Sequence, residues 1–358
     1  MYNKLIINGL RGLKHVEIDD FKRVNLFVGN NNSGKTTILE SLFLLINPSN
    51  AELPLKINRF RGYISLDENY WRTIFYRMNV DSKIEISAEL NDIMENRQLT
   101  IWPRSEIMDI QRVSSVEKEI DTPKNSYSGA LTLINGLNLS FAITADNKSK
   151  EYFSQIYTIG PDVKAEMPKE YHEKLSGMYV GPNINFMEIA RLFSKVQINK
   201  RIPKLIRVLK RIEPALEGLS IGLDGIIYCD IGLDRLMPIN VMGGGILRIL
   251  QIILAISDTQ DGIVLIDEIE NGLHYSSQRI LWDAIFESAI EFNVQVFATT
   301  HSLECINEFS SSYADSRFSS DDDQIRLFRL ERNVDDFSVI SYNDKILAAS
   351  LVSGWEVR

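Results

Sequence analysis

Residues 29–36 read Gly29-Asn30-Asn31-Asn32-Ser33-Gly34-Lys35-Thr36 and have the spacing G-x-x-x-x-G-K-T. The apolar stretch 24–28 precedes them with the character of a buried strand, and apolar residues recur with helical period over residues 37–46. In the order strand, glycine loop, helix, this spacing forms a phosphate-binding loop, because backbone N–H groups and the positive end of the helix dipole converge on one anion. The alternative is an ordinary glycine-rich turn, which would not require the strand and the helix on either side.

The residue types within this phosphate loop (residues 29–36) assign individual roles. We expect Lys35 to reach the β- and γ-phosphates of a nucleotide, and Thr36 to offer its hydroxyl to Mg²⁺. The residues predicted to bind the nucleotide are Gly29, Asn30, Asn32, Ser33, Gly34, Lys35, Thr36 and Thr37.

A second informative stretch is Met242-Gly243-Gly244-Gly245, which opens a mostly apolar run over residues 246–256. A glycine cluster at the start of a helix is an N-terminus ready for an anion. The apolar strand 263–266 follows and ends in Asp267 and Glu268. Asp267 suits Mg²⁺ binding, and Glu268 can polarise an attacking water. The alternative is that these carboxylates merely end a strand.

A third stretch places His301 directly after the β-branched strand 294–299. A single histidine is more often structural. At the tip of the strand that follows an Asp-Glu strand, it can hydrogen-bond a γ-phosphate, and we favour that role. Residues 310–323 are polar and acidic, which predicts a loop.

Composition narrows the class of protein. The 358 residues carry a net charge of −9, which argues against non-specific coating of nucleic acid. No stretch is long and apolar enough to span a membrane, and the N-terminus has no signal-peptide layout. Cys229 and Cys305 stand far apart without a C-x-x-C pair, so we expect neither a disulfide framework nor a zinc site. We therefore predict a cytoplasmic protein without a membrane partner.

Strand-like alternation suggests where sheets form outside these motifs. Residues 5–7 and 16–18 predict a hairpin whose turn holds Arg11, placed either over a nucleotide or in solvent. Alternation at residues 84–88 and 99–102 predicts half-buried strands. Asn135-Gly136 between alternating apolar residues predicts a tight hairpin turn. A further hairpin is predicted by two short apolar stretches, 226–230 and 236–239.

A basic cluster follows in an otherwise acidic chain. Residues 203–212 predict an amphipathic helix with one apolar and one basic face. The cluster consists of Lys195, Lys200, Arg201, Lys204, Arg207, Lys210 and Arg211. It either contacts the phosphate backbone of a nucleic acid or an acidic partner, or is a solvated helix face.

These patterns together predict an α/β protein with a mixed-sheet core, an antiparallel β layer and an inserted helical segment. We assign residues 1–50 and 215–358 to a discontinuous core, residues 51–149 to the antiparallel layer, and residues 150–214 to a helical insertion with the basic cluster.

The chain resembles the ABC-type P-loop ATPases of the SMC, RecF and OLD group. It is most similar to the short OLD-like ATPases, of AAA_15/AAA_21 type, found in prokaryotic anti-phage defence systems. The blocks that carry the resemblance are residues 29–37, 242–245, 266–274 and 299–302.

The resemblance implies a head-to-head dimer that sandwiches two ATP molecules with Mg²⁺. Gly243, Gly244 and Gly245 would then act on the nucleotide of the other subunit. Glu268 would be the hydrolytic base, His301 the γ-phosphate sensor, and Lys35 a catalytic phosphate ligand. The transporter signature has a serine where this chain has Gly243, so we expect slow turnover.

Absent features shape the functional hypotheses. The chain has no long heptad stretch, no C-x-x-C hook, and no acidic nuclease domain after His301. Our first hypothesis is an ATPase that acts as sensor and scaffold for a separately encoded effector, a nuclease or a toxin, in anti-phage defence. The alternative is a RecF-like ATP-dependent DNA clamp in repair. A transporter subunit and a non-hydrolysing binding module fit the sequence less well.

Overall fold

The computed structural model describes residues 1–66, 68–91, 94–108, 131–145, 148–160, 162–315, 323–333 and 336–358. Its strands are, in chain order, β1 (Tyr2–Leu10), β2 (Leu13–Ile18), β3 (Val24–Val28), β4 (Ile84–Leu90), β5 (Glu95–Met108), β6 (Leu131–Ala145), β7 (Lys148–Ile159), β8 (Asp162–Glu166), β9 (Gly177–Val180), β10 (Gly218–Ile221), β11 (Ile227–Asp230), β12 (Met237–Pro238), β13 (Ile263–Ile266), β14 (Gln295–Thr299), β15 (Ile325–Asn333) and β16 (Asp336–Tyr342). Its α-helices are α1 (Lys35–Ile46), α2 (Leu53–Phe60), α3 (Glu68–Arg72), α4 (Phe186–Ile198), α5 (Ile202–Leu209), α6 (Gly244–Asp258), α7 (Tyr275–Glu291), α8 (Leu303–Ala314) and α9 (Asp344–Val352).

The central sheet is mixed and has the order β16-β15-β3-β14-β13-β9. From β15 to β9 all neighbours are parallel, and β16 pairs antiparallel with β15. Strands β3, β13 and β14 are buried along their whole length, as expected of parallel strands covered on both faces. The carboxyl ends of these three strands therefore meet at one edge, where the motifs lie.

An antiparallel sheet lies on the other side of α1, in the order β2-β1-β4-β5-β6-β7-β8. Helix α1 contacts β1, β4 and β5 of this sheet and β9, β13 and β14 of the central sheet. One apolar core fills the space around α1, and a second core lies between the central sheet and helices α4 to α9. The predicted α/β fold with a mixed core sheet and an antiparallel layer is confirmed.

A small third sheet, β10-β11-β12, leads the chain into α6. It contains the hairpin that was predicted from residues 226–230 and 236–239. Helix α6 is nearly all apolar and buried, because it packs between the central sheet and α4, α5 and α7. No helix in the described parts of the chain is both long and apolar enough to cross a membrane.

The predicted turn at Asn135-Gly136 is wrong. Strand β6 passes through both residues without a break and pairs with β5 and β7. A Cβ atom at Gly136 would lie 2.1 Å from the carbonyl oxygen of Ile156, and the pairing shifts register opposite it, between Arg104 and Ser105. The glycine thus permits a close approach of β7 at a β-bulge, which a pattern of residue types cannot distinguish from a turn.

The boundary at residue 149 between the β layer and the helical insertion is also wrong. Strands β7 and β8 extend the antiparallel sheet to Glu166, β9 belongs to the central sheet, and only α4 and α5 are helical. Much of β7 and β8 is exposed on both faces, so the alternation that marks a strand is weak there. The predicted loop at residues 310–323 begins later than expected, because α8 continues to Ala314. Residues 316–322 lie outside the described residues.

A buried ion cluster fixes α1 beside the phosphate loop. Glu40 of α1 is fully buried and accepts hydrogen bonds from Arg11 Nε and Arg61 Nε, both at 2.7 Å. The Arg11 guanidinium also donates to the carbonyl of Ile57 and the side chain of Asn58. The structure contradicts one of the two placements that the sequence left open for Arg11, because its side chain is buried against Glu40 and not in solvent. Arg11 also forms part of the cleft wall described below. Its buried contacts connect the β1–β2 turn to α1 and α2.

We expect Glu40→Gln to lower the free energy of unfolding by about 3–5 kcal/mol, because it leaves two arginines without their shared counter-charge. Glu52→Gln is the matched control, since Glu52 is exposed at the start of α2 and makes no side-chain cap. Its effect should stay within about 0.5 kcal/mol. Urea denaturation followed by circular dichroism measures both, and equal shifts in the two variants would contradict a structural role for the cluster.

Candidate functional site

A cleft of about 620 Å³ opens at the carboxyl ends of β3, β13 and β14. Its walls come from the β1–β2 turn, the phosphate loop, the ends of β13 and β14, and the β15–β16 hairpin. The structure brings together in this cleft the predicted site residues Asn32, Ser33, Gly34, Lys35, Thr36, Thr37, Asp267, Glu268 and His301. Motifs that are more than two hundred residues apart in the chain therefore share one site.

The backbone of the phosphate loop has a shape that glycine allows. Gly29 has φ of 141° and Gly34 has φ of 94°. An added Cβ at Gly29 would lie 2.5 Å from the carbonyl oxygen of Leu330, and one at Gly34 would lie 2.7 Å from the side chain of Leu13. Both positions exclude larger residues by conformation and by space. The result is a concave loop that leads into α1, whose helical hydrogen bonding begins at Ile38 N–H to Gly34.

Lys35 lies across this loop. Its ammonium group donates to the carbonyl oxygens of Gly29 at 2.6 Å and of Asn30 at 2.9 Å. Burial lowers the pKa of Lys35, and the negative charges of Asp267, Glu270 and Glu268 act in the opposite direction. The side chain of Asn30 is exposed, and its backbone carbonyl group is the part of the residue that contacts Lys35. A phosphate that reaches the loop would replace these carbonyl contacts of the ammonium group.

The Asp267 carboxylate accepts hydrogen bonds from three hydroxyl groups. Its Oδ1 atom accepts from Thr36 at 3.1 Å and from Thr299 at 2.7 Å, and its Oδ2 atom accepts from Tyr179 at 3.1 Å. Burial and the charge of Asp267 raise the pKa of Tyr179 well above its ordinary value, so the phenol stays a donor. The two residues predicted to bind Mg²⁺, Thr36 and Asp267, are therefore in direct contact.

Glu268 has a different environment from Asp267. Its side chain is exposed to the cleft, and its backbone has φ of 47°, which is uncommon outside glycine and asparagine. The backbone is held there because Glu268 N–H donates to the Thr299 hydroxyl at 2.8 Å. Strained backbone of this kind is concentrated at functional sites. The arrangement holds one carboxylate by hydrogen bonds and directs the next toward open space.

Arg248 connects the glycine-led helix α6 to these carboxylates. It is 1% exposed and donates to the backbone carbonyls of Asp267 at 2.8 Å, Glu268 at 3.0 Å and Gly181 at 2.6 Å. Burial lowers the pKa of Arg248 to about 10, which leaves it charged at neutral pH. The sequence showed this arginine only as an interruption of an apolar run.

The glycine cluster (Gly243–Gly245) lies outside the cleft. Gly243 and Gly244 are exposed at the start of α6, and no atom lies within 4 Å of the position that a Gly243 Cβ would take. Gly244 and Gly245 approach residues 272–273 of the same chain. The first backbone N–H groups of α6 have no side-chain cap. In one copy of the chain, the cluster and the phosphate loop do not contribute to the same cavity.

The basic cluster makes ion pairs with acidic residues of α6 and α7. Lys195 pairs with Asp258, and Lys204 and Arg211 pair with Glu291 and Asp283. The guanidinium of Arg201 lies over the ring of Phe292. These ion pairs involve three of the seven basic residues, so they reduce the positive charge that the cluster presents without removing it.

Sequence reasoning missed several residues of the site. Thr299 and Glu270 lie within motifs that the sequence analysis recognised. Their position next to the end of a strand could have identified them as site residues. Arg61, which donates to Thr37 in the cleft wall, and Tyr179 come from the middle of the chain, where no motif marks them. Arg332 and Phe337 complete the wall from the last hairpin.

Comparisons with known proteins agree with this geometry. The family described as "AAA domain, putative AbiEii toxin, Type IV TA system" (AAA_21) matches residues 24–307. A Helicobacter pylori protein named ATP/GTP phosphatase is 22% identical over 93% of both chains. An uncharacterized protein of Methanocaldococcus jannaschii is 24% identical over 62% of this chain and 90% of its own length.

The fold is also known from solved structures. The Smc head domain with an extended coiled coil, bound to the C-terminal domain of ScpA derived from Pyrococcus furiosus, superposes with a TM-score of 0.50. It is 11% identical, and the match covers 99% of this chain and 98% of that chain. The fold is therefore that of the Smc head domain. Because the family match spans most of the chain, the protein belongs to the AAA_21 family and is an ATPase of that type.

Proposed function

We propose that the protein is a Mg²⁺-dependent ATPase that dimerises around ATP and controls a separately encoded effector in anti-phage defence. The observation that carries this proposal is the separation between the glycine cluster and the cleft. Gly243 and Gly244 are exposed at a helix N-terminus, while the phosphate loop and Glu268 line an open cavity without the glycine cluster. A second copy can supply the N-terminus of its α6 to the nucleotide, and a two-fold axis would complete both sites.

The residues of the cleft fit a nucleoside triphosphate. The backbone of the loop leaves no room for a Cβ atom at Gly29 or Gly34. The buried Ser33 hydroxyl has no hydrogen-bond partner among the described residues. An anion bound in the loop would give that hydroxyl an acceptor. The name of the Helicobacter pylori relative, ATP/GTP phosphatase, supports the same substrate class.

The carboxyl end of β13 fits the hydrolytic step. Thr36 and Asp267 would hold Mg²⁺, which supplies positive charge beside the β- and γ-phosphate oxygens. Within the described residues no cluster of three or more histidine, cysteine or acidic side chains could hold a metal by itself. This is consistent with an ion that also needs substrate phosphates as ligands. Glu268, exposed and held at positive φ, would take the proton of the attacking water.

The effector is the part of the proposal that rests on comparison. The matched family is described by a toxin of a type IV toxin–antitoxin system, and the Smc head domain is solved in complex with a protein partner. Both support a protein partner for this chain. Gly243 offers no hydroxyl to a γ-phosphate, so we expect slow turnover, which suits a sensor that remains ATP-bound between signals. The RecF-like alternative is weakened by the ion pairs of the basic cluster.

The first test compares ATP hydrolysis with mass in solution. We expect Glu268→Gln to lower hydrolysis by about 10²- to 10⁴-fold, the range for loss of a general base, and to accumulate as an ATP-bound dimer. Lys35→Ala should neither hydrolyse ATP nor change mass, because it loses the phosphate contact. Glu304→Gln is the control, since Glu304 is an exposed carboxylate of α8. Light scattering that shows no ATP-dependent dimer in any variant would refute the proposal.

The second test asks whether the glycine cluster acts on the partner's nucleotide. Gly244→Asp places a negative charge at a helix N-terminus, which favours the helix but repels a phosphate. We expect Gly244→Asp and Lys35→Ala to be inactive alone. Their mixture should recover roughly a quarter of the parent rate if subunits of a two-fold dimer assort at random.

The recovery should coincide with ATP-dependent heterodimers, which can be detected by pull-down of one tagged variant. Samples that contain only one of the two variants, at the same total protein concentration as the mixture, are the controls. A mixture that forms heterodimers but recovers no activity would show that the cluster does not act between subunits.

A further inference from the structure

The ring of His301 is held by an acidic residue to which no role has been assigned. Glu270 Oε1 lies 3.1 Å from His301 Nδ1 and also accepts the backbone N–H of His301 at 3.0 Å. Glu270 belongs to the loop after β13, whereas His301 follows β14, so the contact joins the ends of neighbouring strands. One carboxylate oxygen thus fixes both the main chain and the side chain of the histidine.

The two partners differ in exposure. Glu270 is 9% exposed, and its Oε2 atom is buried without a hydrogen-bond partner in the described part of the chain. The His301 side chain is 59% exposed and forms part of the cleft wall. Glu270 is also close enough to Lys35 and Arg248 for its charge to oppose the lowering of their pKa values by burial. The Glu270 carboxylate therefore lies beneath the wall of the cleft, and the His301 ring faces the cleft.

The hydrogen-bond chemistry of this pair restricts the histidine. An ionised carboxylate only accepts, so the hydrogen on the neutral ring must be on Nδ1, which leaves Nε2 directed away from Glu270. A γ-phosphate oxygen is also an acceptor. Contact between it and Nε2 requires a second proton on the ring, taken up from solvent, and the resulting positive charge would lie between the phosphate and Glu270.

We propose that Glu270 is a positioning residue that holds the His301 ring through Nδ1 and commits Nε2 to the γ-phosphate. Its negative charge balances the proton on Nε2 when ATP is bound. This inference rests on the proposed function, because it assigns the orientation of the γ-phosphate sensor in the same site. The other charged groups in the cleft wall are Arg11, Lys35, Arg61, Asp267, Glu268 and Arg332.

The kcat values of Glu270 and His301 variants distinguish a positioning role of Glu270 from a purely structural one. Glu270→Gln keeps an oxygen that can accept both N–H groups but removes the charge. Under our proposal it lowers kcat for ATP about 10- to 100-fold, as for other groups that orient a functional ligand, and changes KM little. His301→Gln lowers kcat by a similar factor.

The double variant carries the decisive comparison. Because Glu270 acts through His301, Glu270→Gln combined with His301→Gln should be no slower than His301→Gln alone. Glu304→Gln changes an exposed carboxylate of α8 that accepts from the Ser302 hydroxyl and does not contact Glu270 in the described residues, so it should leave the rate unchanged. A parent-like rate for Glu270→Gln, or a double variant slowed by the product of the two single effects, would overturn the proposal.

A spectroscopic readout separates this proposal from the proposed function. Nitrogen-15 spectra of the histidines, with His301 assigned by its loss in His301→Gln, should show Nδ1 protonated at alkaline pH in the parent. A non-hydrolysable ATP analogue should protonate both nitrogens. Glu270→Ala, checked for folding by thermal unfolding, should give mixed tautomers. If the parent hydrolyses no ATP but Nδ1 is fixed by Glu270, the ATPase proposal fails and the positioning of His301 stands. An unchanged tautomer in Glu270→Ala overturns the positioning itself.

Discussion

The three hydrogen bonds to the Asp267 carboxylate are the constraint on which this site depends. The donors, Thr36, Thr299 and Tyr179, come from α1, β14 and β9, which are far apart in the chain. A buried carboxylate needs such donors because its desolvation is otherwise unfavourable by several kcal/mol. A shift of any one of these elements leaves a buried charge under-solvated. Asp267 thus holds the start of α1 and strands β9 and β14 in one relative position, and its carboxylate is also suited to bind a metal ion.

Arg248 connects the main chain at Asp267 and Glu268 to the exposed start of helix α6. Its guanidinium binds the backbone carbonyls of Asp267 and Glu268, and its helix begins at the exposed glycine cluster. A force applied at the N-terminus of α6 therefore acts on the main chain that carries both carboxylates. In the proposed dimer, docking of this helix on a partner's nucleotide would act through Arg248 on the main chain of Asp267 and Glu268 in the same copy. Two sites connected in this way need not behave independently.

Sequence patterns predicted the parts of the protein where one physical requirement dominates. The mostly apolar strand 24–28 and the apolar strand 263–266 are buried on both faces, and the glycines of the phosphate loop need an unusual backbone conformation. Sequence patterns gave wrong or ambiguous predictions where two different structural environments favour the same residue type. Gly136 fits a turn and a close strand approach equally well, and Arg11 fits solvent, a nucleotide or a buried carboxylate. Tyr179 and Arg61 could not be predicted, because their role depends on tertiary contacts with residues of distant motifs.

The charge distribution of the cleft connects substrate binding to the cation. Asp267, Glu268 and Glu270 lie within range of Lys35, whose ammonium binds carbonyl groups of its own loop. A triphosphate adds further negative charge beside these carboxylates, so repulsion grows unless a cation accompanies it. Arg11 and Arg61 share the single negative charge of Glu40, so together they keep one positive charge in the cleft wall, where Arg332 also lies. Compensation can come from Lys35, from the arginines of the wall and from the N-terminus of α1. A cation that accompanies the triphosphate would reduce the remaining repulsion from Asp267, Glu268 and Glu270, so nucleotide and cation would stabilise each other at this site.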